Sequence, residues 1–262
     1  MMSLTEAAAV LGARMRGGDA RFSGVSTDSR TLRRGELFVA LRGERFDGHG
    51  FLQNAAAAKA AAALVDSQFP GDLPLPAAVV DDTRLALGVL ARHWRARFRP
   101  ALVAVTGSNG KTTVKEMLAS ILRCHAGDEA VLATAGNLNN DIGVPLTLLR
   151  MRQGHRWCAI ELGMNHKGEI AYLADIARPT VALVTEVIPT LMNGDDLGIH
   201  RPAYSFGVQK QVRGHAFTLG FTQGPGTTVS QRAGTRATFI NDPSADKPSG
   251  LFFGFNLMRR LR

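Results

Sequence analysis

The sequence predicts an α/β fold in three successive regions. Between residues 82 and 187, apolar runs suited to β-strands alternate with helical patterns, which is typical of a parallel sheet with right-handed crossovers. One of these strands leads through a Gly-rich turn directly into a helix. We therefore expect a small N-terminal α/β domain over residues 1–80, a parallel-sheet domain over 81–187 and a β-rich or disordered tail over 188–262.

Length and composition limit the classes of protein. The 262 residues are 45% hydrophobic, which is enough to bury a core. Two distant cysteines without a C-x-x-C pattern predict buried thiols rather than disulfides or a zinc site. The N-terminus predicts a capping box from Ser3 to Glu6 and a short helix, not a signal peptide. With no apolar run of about 18 residues, we expect no membrane-spanning helix and, for most of the chain, a cytoplasmic location without membrane insertion.

The first region contains two short β-like runs, Glu36–Leu41 and Ala77–Val80. The Ala-rich stretch Ala55–Val65 between them predicts a helix. Three prolines at positions 70, 74 and 76 predict a loop before the second strand. These elements indicate a small α/β unit.

The second region opens with a predicted helix from Asp82 to Phe98, ended by Pro100. Its basic cluster, Arg92–Arg99, follows an amphipathic pattern and predicts a solvated helix face. The net charge of +9 includes +5 from residues 188–262 alone, and basic residues interleaved with aromatics do not recur. We therefore expect no nucleic-acid partner. The remaining predicted strands and helices alternate: Ala101–Thr106, Thr112–Cys124, Trp157–Leu162, Glu169–Ala177 and Thr180–Thr185.

The turn between the first such strand and its helix predicts a phosphate-binding loop. It reads Gly107-Ser108-Asn109-Gly110-Lys111-Thr112-Thr113, and it departs from the general G-x-x-x-x-G-K-[ST] spacing by having Val105 five positions before Gly110. Small residues allow backbone N–H groups to converge on phosphate oxygens, Lys111 adds a mobile cation, and Thr112 can hold Mg²⁺ through its hydroxyl.

Two further segments carry polar groups toward this loop. Glu161 closes the apolar strand 157–161, which parallel topology can place beside the loop strand, so we predict it as a metal ligand. The segment 134–145 contains three asparagines, Asn137, Asn139 and Asn140, which can contact a polar ligand or simply form a loop. His166 has two open interpretations, a catalytic residue or a loop and helix-capping residue.

Several of these segments resemble the Mur ligase family. The resemblance covers roughly the first 187 residues. It departs from the family pattern at Lys167, where the family usually has a proline. The matching motifs are Ser26-Thr-Asp-Ser-Arg30, Gly35-Glu-Leu-Phe-Val-Ala-Leu-Arg-Gly43, Asp47-Gly-His49, Thr106–Thr113, Gly136-Asn-Leu-Asn-Asn-Asp-Ile-Gly-Val-Pro145 and Glu161-Leu-Gly-Met-Asn-His-Lys-Gly-Glu169.

The resemblance implies a UDP-sugar-binding N-terminal domain and a central domain that binds ATP and Mg²⁺ through a P-loop. It also implies an amide ligase that joins D-alanyl-D-alanine to UDP-N-acetylmuramoyl-tripeptide through an acyl phosphate, and we expect the chain to be a monomer. The resemblance implies that Lys111 and Glu161 are catalytic residues and that Thr112 and Glu161 bind the metal. Substrate contacts fall on Ser29, Arg30, Asn137, Asn139 and Asn140. A ligase that adds a single amino acid, or glutamate to folate, is a further alternative, which the Asn-rich segment disfavours.

After Val184 the resemblance stops. The expected continuation would bring a His-bearing metal segment, a carbamylated lysine and a C-terminal domain. Instead the tail contains alternating runs, Tyr204–Val208, Phe217–Phe221 and Leu251–Leu257, which predict β-hairpins and resemble the last strands of an outer-membrane β-barrel protein. A disordered or soluble β tail is the alternative. We interpret the junction as a truncated or chimeric reading frame, so we expect an incomplete ligase that does not turn over, with a non-catalytic ATP- and UDP-sugar-binding remnant as the alternative.

Overall fold

The computed structural model describes residues 1–43, 46–188, 203–212, 215–224, 237–239 and 250–259, with side chains described up to Thr185. Within it the chain divides into two compact units whose segments alternate along the sequence. The first unit comprises Met1–Arg99, Thr134–His155 and Met164–Ala177. The second comprises Pro100–Ala133, Arg156–Gly163 and Arg178–Arg262. The domain boundaries at residues 80 and 187 remain predictions.

Six α-helices and fifteen strands are present in the described residues. The helices are α1 (Leu4–Leu11), α2 (Leu52–Ala57), α3 (Thr83–Arg95), α4 (Lys111–Ala126), α5 (Gly143–Leu149) and α6 (Glu169–Ala177), with 3₁₀ turns at Gly48–Phe51 and Asp128–Ala130. The strands are β1 (Met2–Ser3), β2 (Arg14–Arg16), β3 (Arg21–Phe22), β4 (Val25–Ser26), β5 (Leu37–Val39), β6 (Ala62–Asp66), β7 (Ala77–Val80), β8 (Ala101–Gly107), β9 (Val131–Ala133), β10 (Trp157–Glu161), β11 (Val181–Ile188), β12 (Ala203–Val212), β13 (His215–Gly224), β14 (Ala237–Phe239) and β15 (Gly250–Arg259).

The first unit is built on a five-stranded sheet in the order β2-β7-β6-β5-β4. Strands β4 to β7 are parallel, and β2 joins β7 antiparallel. Every residue of β5, β6 and β7 is buried, as continuous apolar runs predict for a sheet covered on both faces. The core beside it comprises Leu32, Phe38, Ala40, Leu52, Ala55, Ala60, Ala63, Val65, Ala77 and Val79.

The capping box predicted at the N-terminus is half formed. Ser3 caps α1 by accepting the N–H of Glu6 on its hydroxyl at 3.1 Å. The carboxylate of Glu6 does not return to Ser3 but contacts His93 on α3 and Arg97 just after that helix. The reciprocal bond gives way because the charge-assisted contact with Arg97 satisfies the carboxylate better than one backbone N–H does.

The Ala-rich helix predicted from Ala55 to Val65 is wrong in its second half. The helix α2 ends at Ala57, Lys59 adopts the left-handed conformation at φ +62°, and residues from Ala62 onward form β6. Alanine favours helices, but each residue of β6 is buried between neighbouring strands, and burial decides the conformation where propensity differs by only tenths of a kcal/mol.

The long helix α3 confirms its predicted start, since Asp82 caps it through the N–H groups of Arg84 and Leu85. Its buried stripe includes Leu87, Leu90 and Trp94, whereas the side chains of Leu85 and Val89 are exposed.

One correction concerns the basic cluster at the end of α3, because Arg95 is not solvated. Arg95 is buried and donates to the carbonyls of Ala177 and Phe98 at 3.0 and 2.8 Å. A guanidinium has five N–H donors, so the ends of neighbouring helices can satisfy it away from water.

The second unit contains the predicted parallel sheet. Its strands β9, β10, β8 and β11 lie side by side and parallel, and helix α4 packs on them. Glu161 at the end of β10 is in register with Val105 of β8, which confirms that this strand neighbours the loop strand. Beyond β11 the sheet continues with antiparallel β12, β13, β15 and β14.

The three alternating runs of the tail fall in β12, β13 and β15, paired antiparallel as hairpin patterns predict. The direction of their side chains, and with it the resemblance to an outer-membrane protein, lies outside the described residues. Of the two cysteines, Cys158 is buried as predicted, whereas Cys124 on α4 is exposed. Among the described helices, none combines the length and hydropathy needed to cross a bilayer.

Candidate phosphate-binding site

The Gly-rich turn joins the end of β8 to the start of α4 through only three residues, Ser108 to Gly110. Gly110 precedes the helix in the left-handed conformation, at φ +76°, and has no side-chain cap bond. The first turn of α4 contains no acidic side chain, and Ser108 and Asn109 are exposed. The N–H groups of a helix start have no intrahelical partners and carry the positive end of the helix dipole, so this turn is suited to bind an anion.

Gly107 is the tightest point of the turn. A Cβ atom at this position would lie 1.6 Å from the carbonyl oxygen of Thr185, and its φ of +137° belongs to the region that favours glycine. The loop backbone therefore runs against β11 with no room for a side chain.

Lys111 places its ammonium group over the loop itself. Its Nζ donates to the carbonyl of Gly107 at 2.9 Å and lies 3.4 Å from that of Ser108. These carbonyl contacts hold the cation at the mouth of the turn, where phosphate oxygens can replace them as partners. The predicted role of Lys111 is consistent with this geometry.

Thr112 and Glu161 meet across the gap between α4 and β10. The hydroxyl of Thr112 donates to Glu161 Oε2 at 2.9 Å, although the two residues are 49 positions apart in the sequence. Glu161 is 1% exposed, so its carboxylate lies in the interior with the hydroxyl as one of its partners. The structure thus brings together the two predicted metal ligands directly beside the phosphate loop.

Two residues at this site escaped sequence reasoning. Lys115 lies one turn after Thr112 on α4 and is fully buried, paired with the carboxylate of Glu116. Thr185 is the last residue of β11 with a described side chain, and it bonds the phosphate loop directly. A lysine in a helix pattern normally predicts a solvated face, and a threonine ending an apolar strand belongs to no motif. The only sequence signal for Lys115 is its spacing of four residues from Lys111, which places both lysines on the same face of α4.

The predicted substrate-contacting residues belong to the other compact unit. Asn137 is exposed, Asn139 is half-buried, and Asn140 accepts the N–H groups of Ile142 and Gly143 on its Oδ1 at 3.2 and 2.8 Å. Asn140 therefore shapes the start of α5, whatever else it contacts. Its role in substrate binding, and that of its two neighbours, stays a prediction.

Ser29 and Arg30 lie in the turn after β4. The guanidinium of Arg30 is exposed and forms a bidentate pair with Asp28, with distances from 2.7 to 3.2 Å. This pairing, together with the backbone N–H of Arg30, lowers the pKa of Asp28 to about 2. An ionised carboxylate thus fixes the arginine, whose predicted contact with a UDP-sugar stays a prediction.

His166 lies in the turn before α6 and is exposed. Its Nδ1 is 3.0 Å from Glu169 Oε1, and Glu169 also accepts the N–H groups of Asn165 and His166 at 2.7 and 3.1 Å. These bonds, the Asn165 N–H first among them, lower the pKa of Glu169 to about 2. Of the two interpretations of His166, the contacts favour the loop and helix-capping one.

Two family models match the chain. Residues 21–95 match the Mur ligase family catalytic domain, and residues 105–190 match the Mur ligase middle domain. The chain is also 47% identical over 195 residues to a UDP-N-acetylmuramoyl-tripeptide–D-alanyl-D-alanine ligase of Haemophilus influenzae, covering 74% of this chain and 42% of that protein. A protein of the same name from Escherichia coli is 47% identical over 193 residues, again covering 74% and 42%.

Solved structures agree with these relatives. A crystal structure of MurF from Acinetobacter baumannii superposes with a TM-score of 0.62 at 40% identity, covering 69% of this chain and 40% of that one. The MurF ligase of Thermotoga maritima, solved in complex with ADP, superposes with a TM-score of 0.55 at 33% identity, covering 65% and 38%. The chain thus spans about two fifths of the length of these relatives. Through residues 21–190, which carry two of its domains, the chain belongs to the Mur ligase family.

Proposed function

We propose that this chain supplies the ATP-binding and UDP-sugar-binding parts of a ligase that joins D-alanyl-D-alanine to UDP-N-acetylmuramoyl-tripeptide in peptidoglycan precursor synthesis. The observation that carries the proposal is the Thr112–Glu161 contact beside the Gly-rich turn, since it joins a phosphate site to a buried carboxylate. The names of the relatives and the ADP complex of one neighbour support the same conclusion.

The donor set fits the Mg²⁺ that such a reaction uses. Mg²⁺ prefers oxygen ligands and is usually held by one or two carboxylates together with substrate phosphates and waters. Glu161 and Thr112 offer a carboxylate and a hydroxyl next to the loop, so they would hold the ion on the phosphates. Bound there, Mg²⁺ would neutralise phosphate charge.

The rest of the chemistry depends mainly on positioning. Transfer of a phosphoryl group to the tripeptide carboxylate needs cations aligned with the phosphates and little covalent participation from the protein. Lys111 supplies a mobile cation for the β- and γ-phosphates, and the N–H groups of the turn and the start of α4 bind their oxygens. The acyl phosphate formed in this way would then accept the amine of D-alanyl-D-alanine, giving an amide and phosphate.

In the proposed arrangement Ser29 and Arg30 contact the UDP-sugar, and Asn137, Asn139 and Asn140 contact the muramoyl-peptide. The contact of Ser29 and Arg30 is supported by the ion pair of Arg30 with Asp28, which holds an exposed guanidinium of the kind that binds diphosphates. The asparagines are supported by the exposure of their loop and by its match to the family motif.

Nucleotide binding by the purified full chain is the first test. Titration calorimetry with ADP and Mg²⁺ should show binding that weakens about tenfold or more in Lys111→Ala, because a charge-assisted phosphate contact is lost. Arg123→Ala is the matched control, since it removes a cation from the other end of α4. Equal affinity in Lys111→Ala and the unaltered chain would contradict the assignment.

The metal assignment needs a second pair of variants. Glu161→Gln keeps the shape of the side chain but removes its charge, so nucleotide affinity should lose its dependence on Mg²⁺ while the thermal midpoint changes little. Glu129→Gln, an exposed acid in the same unit, is the control. If Glu161→Gln instead melts early and retains normal Mg²⁺ dependence, the residue is structural.

The ligase reaction is tested directly by supplying ATP, Mg²⁺, UDP-N-acetylmuramoyl-tripeptide and D-alanyl-D-alanine. Formation of the pentapeptide product with release of phosphate supports the ligase function. Nucleotide binding without product is the result expected of a chain that supplies only the binding parts of a ligase, and equally of a non-catalytic binding protein.

A further inference from the structure

Thr185, near the end of β11, contacts the phosphate loop at three consecutive residues. Its carbonyl accepts the N–H of Ser108 at 3.0 Å, and its hydroxyl oxygen lies 2.6 Å from the carbonyl of Asn109. The same strand position is paired with Gly107, whose missing Cβ would meet the Thr185 carbonyl.

The hydroxyl has one hydrogen to donate and two candidate acceptors. Its oxygen is 3.2 Å from the carbonyl of Thr106 and 2.6 Å from that of Asn109, so the shorter contact, to Asn109, is the preferred hydrogen bond. Thr185 is only 4% exposed, and water therefore cannot easily replace this hydroxyl. The Asn109 carbonyl is consequently held turned toward β11.

This orientation matters for the opposite side of the loop. The peptide group that carries the Asn109 carbonyl also carries the N–H of Gly110, and the two point in opposite directions because the peptide is planar. Holding the carbonyl toward β11 directs that N–H away from the strand, toward the open side of the turn where an anion would bind.

We propose that Thr185 is a positioning residue for the nucleotide site: it fixes the backbone of residues 107–109 so that the N–H of Gly110 is already directed outward before phosphate binds. The proposal rests on the nucleotide-binding function proposed above and assigns Thr185 no contact with the ligand. Prealigned donors bind more tightly because the loop loses less conformational freedom on binding.

The variants Thr185→Val and Thr185→Ser separate the hydroxyl from the shape of the side chain. Valine is nearly isosteric but cannot donate, whereas serine restores the donor. Thr180→Val is the matched control: the Thr180 hydroxyl oxygen bonds both the N–H and the carbonyl of Leu102 at 3.0 Å, at the other end of the same strand pair. Both valine variants therefore remove a hydroxyl from β8–β11 contacts, but only one removes it from the loop.

We expect ADP·Mg²⁺ affinity to fall roughly fivefold in Thr185→Val, as for the loss of one typical hydrogen bond, and to stay within about twofold in Thr180→Val and Thr185→Ser. In the nucleotide-free chain, the amides of Ser108 to Gly110 should exchange with solvent faster in Thr185→Val only. Thr185→Ala replaces Thr185→Val in both measurements if the valine variant loses its far-UV circular dichroism.

An unchanged affinity in Thr185→Val, or an equal loss in Thr180→Val, overturns the proposal. Should the unaltered chain bind no ADP, the proposed function fails, and the exchange measurement then decides only whether Thr185 fixes the loop. Equal exchange of the loop amides in the two valine variants would show that Thr185 does not hold the loop.

Discussion

Replacing Gly107 by alanine tests the packing of the phosphate loop most directly. The new Cβ would lie 1.6 Å from a backbone oxygen of Thr185, so either the loop or strand β11 must move. Backbone strain at φ +137° costs about 1–3 kcal/mol, and separating the loop from Thr185 breaks two hydrogen bonds at about 0.5–1.5 kcal/mol each. The free energy of unfolding should therefore fall by about 2–6 kcal/mol in Gly107→Ala.

Gly110→Ala is the control for this prediction. Gly110 is also left-handed, but its added Cβ would meet nothing within 4 Å, so only the left-handed conformation is penalised, at about 1–2 kcal/mol. Urea unfolding can be followed by the fluorescence of Trp157, which lies on β10 in the same unit, in a Trp94→Phe background that removes the second tryptophan. If Gly107→Ala is no less stable than Gly110→Ala, the close approach to β11 does not constrain the loop.

Three further predictions concern the first unit. The pKa of Glu169 in the folded chain is about 2, below its ordinary value of 4.5, so its contribution to stability is present above pH 4.5 and is lost as the pH falls toward 2. An NMR titration of this carboxyl group should give a midpoint near 2, and a midpoint near 4.5 would contradict the contacts. Trp94→Phe should cost about 0.5–1.5 kcal/mol in urea unfolding, because the carbonyl of Met151 loses one of its two donors and keeps Arg152 Nη1, and a neutral effect would argue against the Trp94 bond. Arg84→Ala should cost about 1 kcal/mol or less, since its pair with Asp141 is about half exposed; a much larger loss of the unfolding free energy would mean that this pair holds α3 to its neighbour.

Most helices and strands of the central sheet follow from the sequence because local signals agree with burial there. Strand β7 and helix α6 have the predicted bounds, and α3 begins directly after Asp82, where its start was predicted. The Ala-rich stretch failed because apolar runs of a few residues suit a helix and a buried strand equally well. Lys59 offers no turn signal of glycine or proline type, so the end of α2 could not be located.

The candidate site divides in the same way. The proximity of Lys111, Thr112 and Glu161 was predictable, because a sequence motif covers the first two and the rule that parallel strands end at one edge of a sheet covers the third. Thr185 was not, since its contacts depend on how closely β11 approaches the turn, which is a matter of packing at the scale of one atom. Lys115 was missed because burial of an ammonium group depends on partners that the helix pattern does not show.

The alternation of the two compact units along the chain has a consequence for how this protein can be dissected. Each unit is assembled from three segments, so the polypeptide passes from one to the other five times. Cleavage at one peptide bond therefore cannot release either unit intact, and no contiguous fragment contains all of one without pieces of the other. The N-terminal 99 residues expressed alone would lack α5 and α6, both of which pack against α3. Circular permutation keeps every segment and would therefore preserve both units, whereas excision of a fragment would not. The two units should also fold together during synthesis and unfold together during degradation.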